Sequence, residues 1–140
     1  MNSNIHSYIY IGTSGWNYKD WKNNFYSGVK QKEWLEFYSQ HFNTVEVNAT
    51  FYRMLKHETL QNWYTRTPDS FIFAIKGSRY ITHIKRLNDP LESIKKQKEN
   101  VSALSDKLGV VIWQFPASLQ KDTTKLQNFA QALKTWPEVR

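Results

Sequence analysis

The chain of 140 residues contains no cysteine. This absence excludes a disulfide framework, a thiolate metal site and a cysteine nucleophile. No stretch reaches the roughly 18 consecutive apolar residues that a membrane-spanning helix requires. Residues 1–7 are polar and lack the basic-then-apolar order of a signal peptide. A soluble cytoplasmic protein that does not bind membranes is therefore expected.

Several motifs of known chemistry are also missing. There is no phosphate-binding loop and no dinucleotide fingerprint, and the four histidines lack His-Glu-x-x-His spacing. Ser14 lies outside any Gly-x-Ser-x-Gly elbow and no base is evident near it, so a hydrogen-bonding role is expected rather than a nucleophilic one. Glu46 and His83 could converge on a metal ion, but the sequence predicts no metal site and indicates no cofactor.

The net charge of +7 is unevenly distributed. Residues 76–98 hold seven basic side chains against two acidic ones, an excess of five positive charges. Such a segment could bind phosphate, either on a small molecule or on a nucleic acid. Alternatively, Lys95, Lys96 and Lys98 form the solvated face of a helix, which is the usual role of a run of charges.

Four strands alternate with four helices along the sequence. The strands are predicted at residues 8–11, 44–47, 71–75 and 110–113. Their near-continuous apolar character predicts that the third and fourth strands are buried on both faces. The helices are predicted at residues 32–41, around residues 60–64 with an end before Pro68, after Asp89, and after Asp122.

Two of the helix starts carry capping signals. Asp89 is expected to cap the third helix, with Pro90 in the first helical position and Glu92 three residues after the cap. Asp122 is expected to cap the fourth helix. The predicted apolar faces are Leu91, Ile94, Val101, Leu104 and Leu108, with Gly109 at the helix end, and Leu126, Phe129, Ala130 and Leu133.

This alternation defines the expected fold class. Four consecutive βα units of about 35 residues imply an α/β domain over residues 1–140, with parallel strands and right-handed crossovers. One possible architecture is a complete open sheet of four strands. The other is the first half of a TIM (β/α)8 barrel, because eight such units need about 280 residues. A half-barrel leaves two open sheet edges, which could pair with a second copy as a homodimer or could aggregate.

Candidate functional residues follow from the strand ends. In both architectures ligands bind at the carboxyl ends of parallel strands. The residues there that are expected to bind substrate are Ser14, Trp16, Tyr18, Asn48, Tyr52, Arg79 and Gln114. The three that are expected to be catalytic are Glu46, Lys76 and His83.

Each catalytic candidate also has a structural interpretation. Glu46 lies inside an apolar strand, where it is a general acid/base or a ligand for a substrate hydroxyl, or else a structural ion pair or a solvent-facing residue. Lys76 and Arg79 either hold an anion or balance Glu46 and neighbouring acids. His83 either carries protons or is simply solvated.

Aromatic residues accompany these polar groups. Rings beside hydrogen-bonding side chains suit sugar faces or stacked bases. The same rings could instead fill the top of a barrel. The residues concerned are Trp16, Tyr18, Trp21, Phe51 and Tyr52.

Motifs at these positions resemble the YecE-like family, known as domain of unknown function 72. They occur in the family's order and cover nearly the whole chain. The motifs are residues 11–16 (IGTSGW) with Tyr18, residues 42–53 (FNTVEVNATFYR), residues 71–73 (FIF) with Lys76, residues 79–83 (RYITH) and residues 114–116 (QFP).

The resemblance implies a TIM-like barrel of well over about 200 residues, which favours the half-barrel architecture. The family has no established reaction, so the resemblance identifies no substrate. This sequence differs from the family's pattern at two points. Ala117 stands where many relatives have a proline, and relatives continue beyond the position of Arg140 into a strand with a Glu-Phe-Arg-His motif. The residues that match the family's motifs are Thr13, Ser14, Gly15, Trp16, Glu46, Asn48, Lys76, Arg79, His83 and Gln114.

Three hypotheses follow for the function. The first is a TIM-barrel-family protein that binds an anionic or carbohydrate-like small molecule, containing phosphate or sugar, at the carboxyl ends of its strands. The second is a nucleic-acid-binding or processing protein, which the basic segment and the aromatic residues indicate. The third is a truncated fragment without independent activity. The sequence does not indicate whether the protein is an enzyme.

Overall fold

The computed structural model describes residues 9–139. Its strands are β1 (Gly12–Ser14), β2 (Thr44–Val47), β3 (Ile72–Lys76) and β4 (Leu108–Ile112). Its α-helices are α1 (Trp34–His41), α2 (Ala49–Tyr52), α3 (His57–Thr65), α4 (Leu91–Val101) and α5 (Thr123–Leu133). Short 3-10 helices occupy Lys19–Trp21, Gln31–Glu33 and Ser102–Lys107, and Tyr80–Ile84 forms a π-helix.

The four strands form one parallel sheet in the order β1-β2-β3-β4. Ser14, Glu46, Ala74 and Val110 are successive register partners, so they form one row across the sheet. Parallel neighbours joined by helical crossovers confirm the predicted α/β class and are consistent with the first half of a (β/α)8 barrel. The carboxyl ends of all four strands therefore lie along one edge of the sheet.

The helices cover only one face of this sheet. Val45 and Val47 are buried in β2, and Phe73 and Ile75 are buried in β3, whereas the alternate side chains are only half-buried. Successive side chains of a strand point to opposite faces, so residues 9–139 cover the second face only in part. The prediction that the third and fourth strands are buried on both faces is therefore wrong for the described chain. We call this side the open face; its residues include Ser14, Thr44, Glu46, Ile72, Ala74, Lys76, Val110 and Ile112.

Aromatic side chains between β1 and α1 build much of the core on the covered face. Tyr26 and Trp34 are buried, and their rings stack with centroids 4.4 Å apart. The Tyr26 hydroxyl donates to the carbonyl oxygen of Trp16 at 2.6 Å. Burial, together with the nearby Tyr38, raises the pKa of Tyr26 above its ordinary value. Trp21 also packs against Tyr26, so this tryptophan serves the core.

The first strand is shorter than predicted and begins later. Tyr8 lies outside the described residues, and Ile9 and Ile11 are exposed. The side chain of Asn43 replaces a strand partner here: its Oδ1 accepts from the Ile11 N–H at 2.7 Å, and its Nδ2 donates to the Ile9 carbonyl at 2.8 Å. Backbone pairing with β2 therefore starts only at Gly12.

The predicted cap of α4 is also wrong. Asp89 has a φ of 42°, whereas a capping residue needs an extended backbone, and the helix start has no side-chain cap. Arg86 and Leu87 have positive φ as well, so the chain enters α4 from a left-handed segment. The helix ends at Val101, and the predicted end residue, Gly109, lies in β4.

The predicted cap of α5 is confirmed. The Asp122 Oδ1 accepts from the backbone N–H of Lys125 at 3.0 Å. The predicted apolar face is only partly correct, because Phe129 is buried but Leu126 and Ala130 are exposed. In α4, Leu91 is likewise exposed, although it was predicted on the apolar face.

Candidate functional site

A chain of hydrogen bonds joins three candidate residues at the ends of β1 and β2. Ser14 and Glu46 are register partners and lie side by side on the open face. Asn48 follows β2 directly, and its Nδ2 donates to the Ser14 Oγ at 2.7 Å. The Ser14 Oγ in turn donates to the Glu46 Oε1 at 3.3 Å. The backbone holds the same pair together, since the Gly15 N–H donates to the Glu46 carbonyl at 2.9 Å.

The direction of these hydrogen bonds fixes which atoms remain for a ligand. A serine hydroxyl has one proton, and a carboxylate only accepts, so the Ser14 proton points to Glu46. Ser14 must then accept from the amide nitrogen of Asn48, which orients that amide. Within residues 9–139, the Glu46 Oε2 and the Asn48 Oδ1 keep no protein hydrogen bond. The site therefore offers two neighbouring acceptors to a ligand.

Ser14 has an acidic neighbour in the structure, which the sequence did not show. From sequence alone no base is evident near Ser14, but the fold puts the Glu46 carboxylate beside its hydroxyl. Neither Lys76 nor Arg79 is in salt-bridge contact with Glu46 in the described residues, whose three ion pairs lie elsewhere. The interpretation of Glu46 as half of a structural ion pair therefore lacks a partner within residues 9–139.

Lys76 lies at the end of β3, against the short helix α2. Its Nζ is 4.7 Å from the centroid of the buried Phe51 ring, a cation–π distance. The Thr50 hydroxyl donates to the Lys76 carbonyl at 2.7 Å and so fixes α2 to β3. This contact sets the position of Phe51 beneath the ammonium group.

His83 contacts the same phenylalanine from the π-helix. The rings of His83 and Phe51 meet edge to face, with centroids 5.1 Å apart and an interplanar angle of 89°. The His83 Nδ1 is 2.8 Å from the hydroxyl oxygen of Thr82, which is fully buried. His83 is thus a half-buried, anchored side chain, which differs from the simply solvated loop residue of the structural interpretation.

The candidate aromatic residues divide into packed and exposed rings. Trp16 is half-buried and packs edge to face on Trp63, with centroids 5.0 Å apart. Tyr18 is 41% exposed, and its hydroxyl donates to the Ser14 carbonyl. Tyr52 is 67% exposed beside Phe51. Tyr18 and Tyr52 therefore keep ring surface for a ligand, whereas Trp16 is largely a packing residue.

Two predicted binding residues lie at the rim without a described contact to this cluster. Arg79 is exposed immediately before the π-helix, and Gln114 is exposed two residues beyond β4. Two buried polar residues outside the predicted site set, Thr50 and Gln97, anchor the segments around it; the Gln97 Oε1 accepts from the Ser78 N–H at 3.0 Å. Thr50 had two signals, its position after β2 and a family-like motif, whereas the sequence offered none for Gln97.

The basic segment at residues 76–98 is largely engaged with protein partners. Lys85 donates to the Asp89 carbonyl at 3.0 Å, and Arg86 donates to the Ser118 carbonyl at 2.6 Å. Lys95 and Lys98 pair with carboxylates at 3.0 Å, on Glu92 and Glu138 respectively. Four of its seven basic side chains thus have local partners, and binding of a nucleic acid stays a prediction.

Metal and membrane features are limited within the described part of the chain. Residues 9–139 hold no group of three or more histidine and acidic side chains that could bind a metal ion. No helix among them combines the length and apolarity needed to cross a bilayer. The cellular location stays a prediction.

Four parallel strands with polar side chains at their carboxyl ends define an α/β protein that is consistent with the first half of a (β/α)8 barrel. The family model described as "Protein of unknown function DUF72" matches residues 10–140. The chain belongs to this family, which confirms the resemblance drawn from its motifs.

Curated relatives and solved structures agree with this assignment. The UPF0759 protein YecE of Escherichia coli (strain K12) is 30% identical over 126 residues, covering 89% of this chain and 44% of that protein. The UPF0759 protein YunF of Bacillus subtilis (strain 168) is 32% identical over 114 residues, covering 77% and 40%. The chain spans about half the length of the curated relatives it matches.

The crystal structure of a DUF72 family protein from Thermotoga maritima MSB8 superposes with a TM-score of 0.74 at 27% identity, covering 90% of this chain and 51% of that one. A DUF72 family protein from Enterococcus faecalis V583 gives a TM-score of 0.72 at 19% identity, covering 92% and 47%, and supports the fold alone.

Proposed function

We propose that the strand-end site binds a small molecule with several hydroxyl groups and one anionic group, such as a sugar phosphate or a sugar acid. The observation that carries this proposal is the directed chain from Asn48 through Ser14 to Glu46. It leaves the Glu46 Oε2 and the Asn48 Oδ1 as adjacent acceptors. Neighbouring hydroxyl groups are the natural donors for such a pair, because each can give one proton while accepting another hydrogen bond.

The anionic part of the ligand is inferred from the neighbouring strand end. Lys76 has no carboxylate partner among residues 9–139 and is held over Phe51, so its charge remains for a ligand. Arg79 adds an exposed guanidinium at the same rim, where it suits bidentate binding of phosphate or carboxylate. The exposed rings of Tyr18 and Tyr52 supply apolar surface for a sugar face.

The same proposal assigns roles to the remaining candidates. Glu46 and His83 are the groups available for proton transfer, and Lys76 is the anion-binding group beside them. Ser14 orients Glu46, whereas Trp16 and Gln114 border the site. Activity of the whole family protein is part of this proposal, since the chain covers about half of its relatives.

Titration with three probes tests the proposed function. Glucose 6-phosphate presents hydroxyls and an anion, glucose presents hydroxyls alone, and inorganic phosphate presents the anion alone. We expect glucose 6-phosphate to bind at least about 10-fold more tightly than either part, because both contacts form at once; each is worth about 1–3 kcal/mol. Amide chemical shifts of Ser14, Asn48 and Lys76 in the NMR spectrum measure binding. No shift with any probe at millimolar concentration would refute the proposal.

We also propose that the open edges of the sheet pair with a second copy of the chain. β1 and β4 are the outer strands, and apolar side chains such as Ile11 and Ile112 are exposed near them. Two copies related by a two-fold axis could pair β1 of each with β4 of the other. Light scattering is expected to give twice the chain mass, and replacing Ile112 with lysine should shift the mass to that of a monomer. The mass of a single chain at about 100 μM would contradict this proposal.

A further inference from the structure

The buried hydroxyl of Thr82 lies between the His83 ring and the backbone of the preceding helical turn. Its oxygen lies 2.8 Å from the His83 Nδ1 and 3.5 Å from the Ser78 carbonyl oxygen, one helical turn earlier. Thr82 is fully buried, so water cannot satisfy this hydroxyl. Its single proton therefore goes either to the His83 Nδ1 or to the more distant Ser78 carbonyl, which also accepts from the backbone N–H groups of Ile81 and Thr82.

A single arrangement of protons satisfies both contacts. A threonine hydroxyl has one proton, and a carbonyl oxygen can only accept. If Thr82 donates to Ser78, its oxygen must accept from His83, so the proton of a neutral imidazole lies on Nδ1. The Nε2 of His83 then carries the free lone pair, which is the form that accepts a proton or a hydroxyl hydrogen.

We propose that Thr82 is a positioning residue that holds His83 in the Nδ1–H tautomer and presents its Nε2 as the proton acceptor of the strand-end site. The role of Nε2 toward a ligand rests on the proposed function, but the tautomer does not. Two further contacts hold this segment: Phe51 packs against the His83 ring, and the Gln97 Oε1 accepts from the Ser78 N–H at its start. A π-helix, which often occurs at functional sites, carries the pair.

NMR spectroscopy of the imidazole nitrogens in the ¹⁵N-labelled chain tests this proposal directly. At about pH 8.5, where imidazoles are neutral, the protonated and free nitrogens have well-separated resonances. We expect most of the His83 population to carry its proton on Nδ1. In Thr82→Val, which keeps the shape but loses the hydroxyl, we expect the population to revert to the Nε2–H form that imidazole prefers in water. In Thr82→Ser, which keeps the hydroxyl, we expect the Nδ1–H form to return.

The outcomes separate this proposal from the proposed function. A wild-type His83 with its proton on Nε2 would overturn it, as would an unchanged tautomer in Thr82→Val. If the proton lies on Nδ1 as proposed, glucose 6-phosphate should shift the Nε2 resonance of the wild-type chain but leave the Nδ1 resonance nearly unchanged. An Nδ1–H tautomer without any response to the sugar phosphate would leave Thr82 as a positioning residue and remove the proposed ligand.

Discussion

Replacing Lys107 with methionine is expected to lower the free energy of unfolding by about 3 kcal/mol. The side chain is only 2% exposed, and its Nζ donates to the carbonyl of Tyr64 at 2.7 Å, the carbonyl of Thr67 at 2.8 Å and the hydroxyl of Thr67 at 3.2 Å. Tyr64 lies in the last turn of α3 and Thr67 two residues beyond its end, where backbone acceptors have no partner within the helix. Methionine keeps the apolar stem but removes this donor: the Tyr64 carbonyl keeps only the Thr67 hydroxyl, at 3.3 Å, and each buried group that loses its partner costs about 1–3 kcal/mol.

Urea unfolding followed by tryptophan fluorescence measures this loss. Lys96→Met is the matched control, because Lys96 is exposed on α4 and its replacement should change stability by less than about 0.5 kcal/mol. An equally small effect for Lys107→Met would mean that water replaces the ammonium group at the end of α3. Lys107 directly precedes β4, so the same contact fixes where the last described strand joins the sheet.

The elements that sequence predicts well are those with an unambiguous local pattern. The strand at Thr44–Val47 is confirmed with its predicted bounds, because β-branched residues fill a short segment after a helix. The helices α1 and α3 lie where the spacing of large apolar side chains put them, within two residues at the start of α1 and before Pro68 for α3. Asp122 caps α5 as expected.

The predictions that failed depend on distant residues or on backbone geometry. The late start of β1 depends on the Asn43 side chain, 32 residues away from Ile11 in the sequence. The absence of a cap at Asp89 depends on its positive φ, which the sequence pattern of a capping signal does not reveal. The apolar runs in β3 and β4 predict that both faces of these strands are covered, but an apolar run does not indicate which segments of the fold cover each face.

The candidate site was predicted as a set of strand ends, and it remains a prediction. What the sequence could not give is the pairing between its members. Ser14 and Glu46 are 32 residues apart, and only the register of β1 with β2 brings their side chains together. Lys76 and His83 converge on Phe51 for a similar reason, through a short helix that periodicity did not predict.

Opposite ligand specificities are expected from two single substitutions in the strand-end site. Glu46→Gln removes the charged acceptor but keeps the shape, so affinity for glucose should fall about 10- to 100-fold while affinity for inorganic phosphate stays within about 2-fold. Lys76→Met removes the ammonium group and should do the reverse. Glucose 6-phosphate uses both contacts, and its affinity should fall in both variants. Chemical-shift titration of each variant with the three probes measures these changes.

Two exposed residues of α4, on the covered side of the sheet, provide controls for the two site variants. Glu99→Gln and Lys96→Met make the same changes of charge away from the strand ends, so neither should alter any of the three affinities. Equal losses for glucose and phosphate in Glu46→Gln would indicate a general disturbance of β2 rather than a lost hydroxyl contact. Loss of phosphate affinity in Lys96→Met as well as in Lys76→Met would mean that anions respond to the net charge of +7. If Glu46→Gln weakens only glucose binding and Lys76→Met weakens only phosphate binding, the carboxylate and the ammonium group must contact different parts of one ligand. A change in net charge or in fold stability would not produce this pattern, because it would change the affinity for every anion alike.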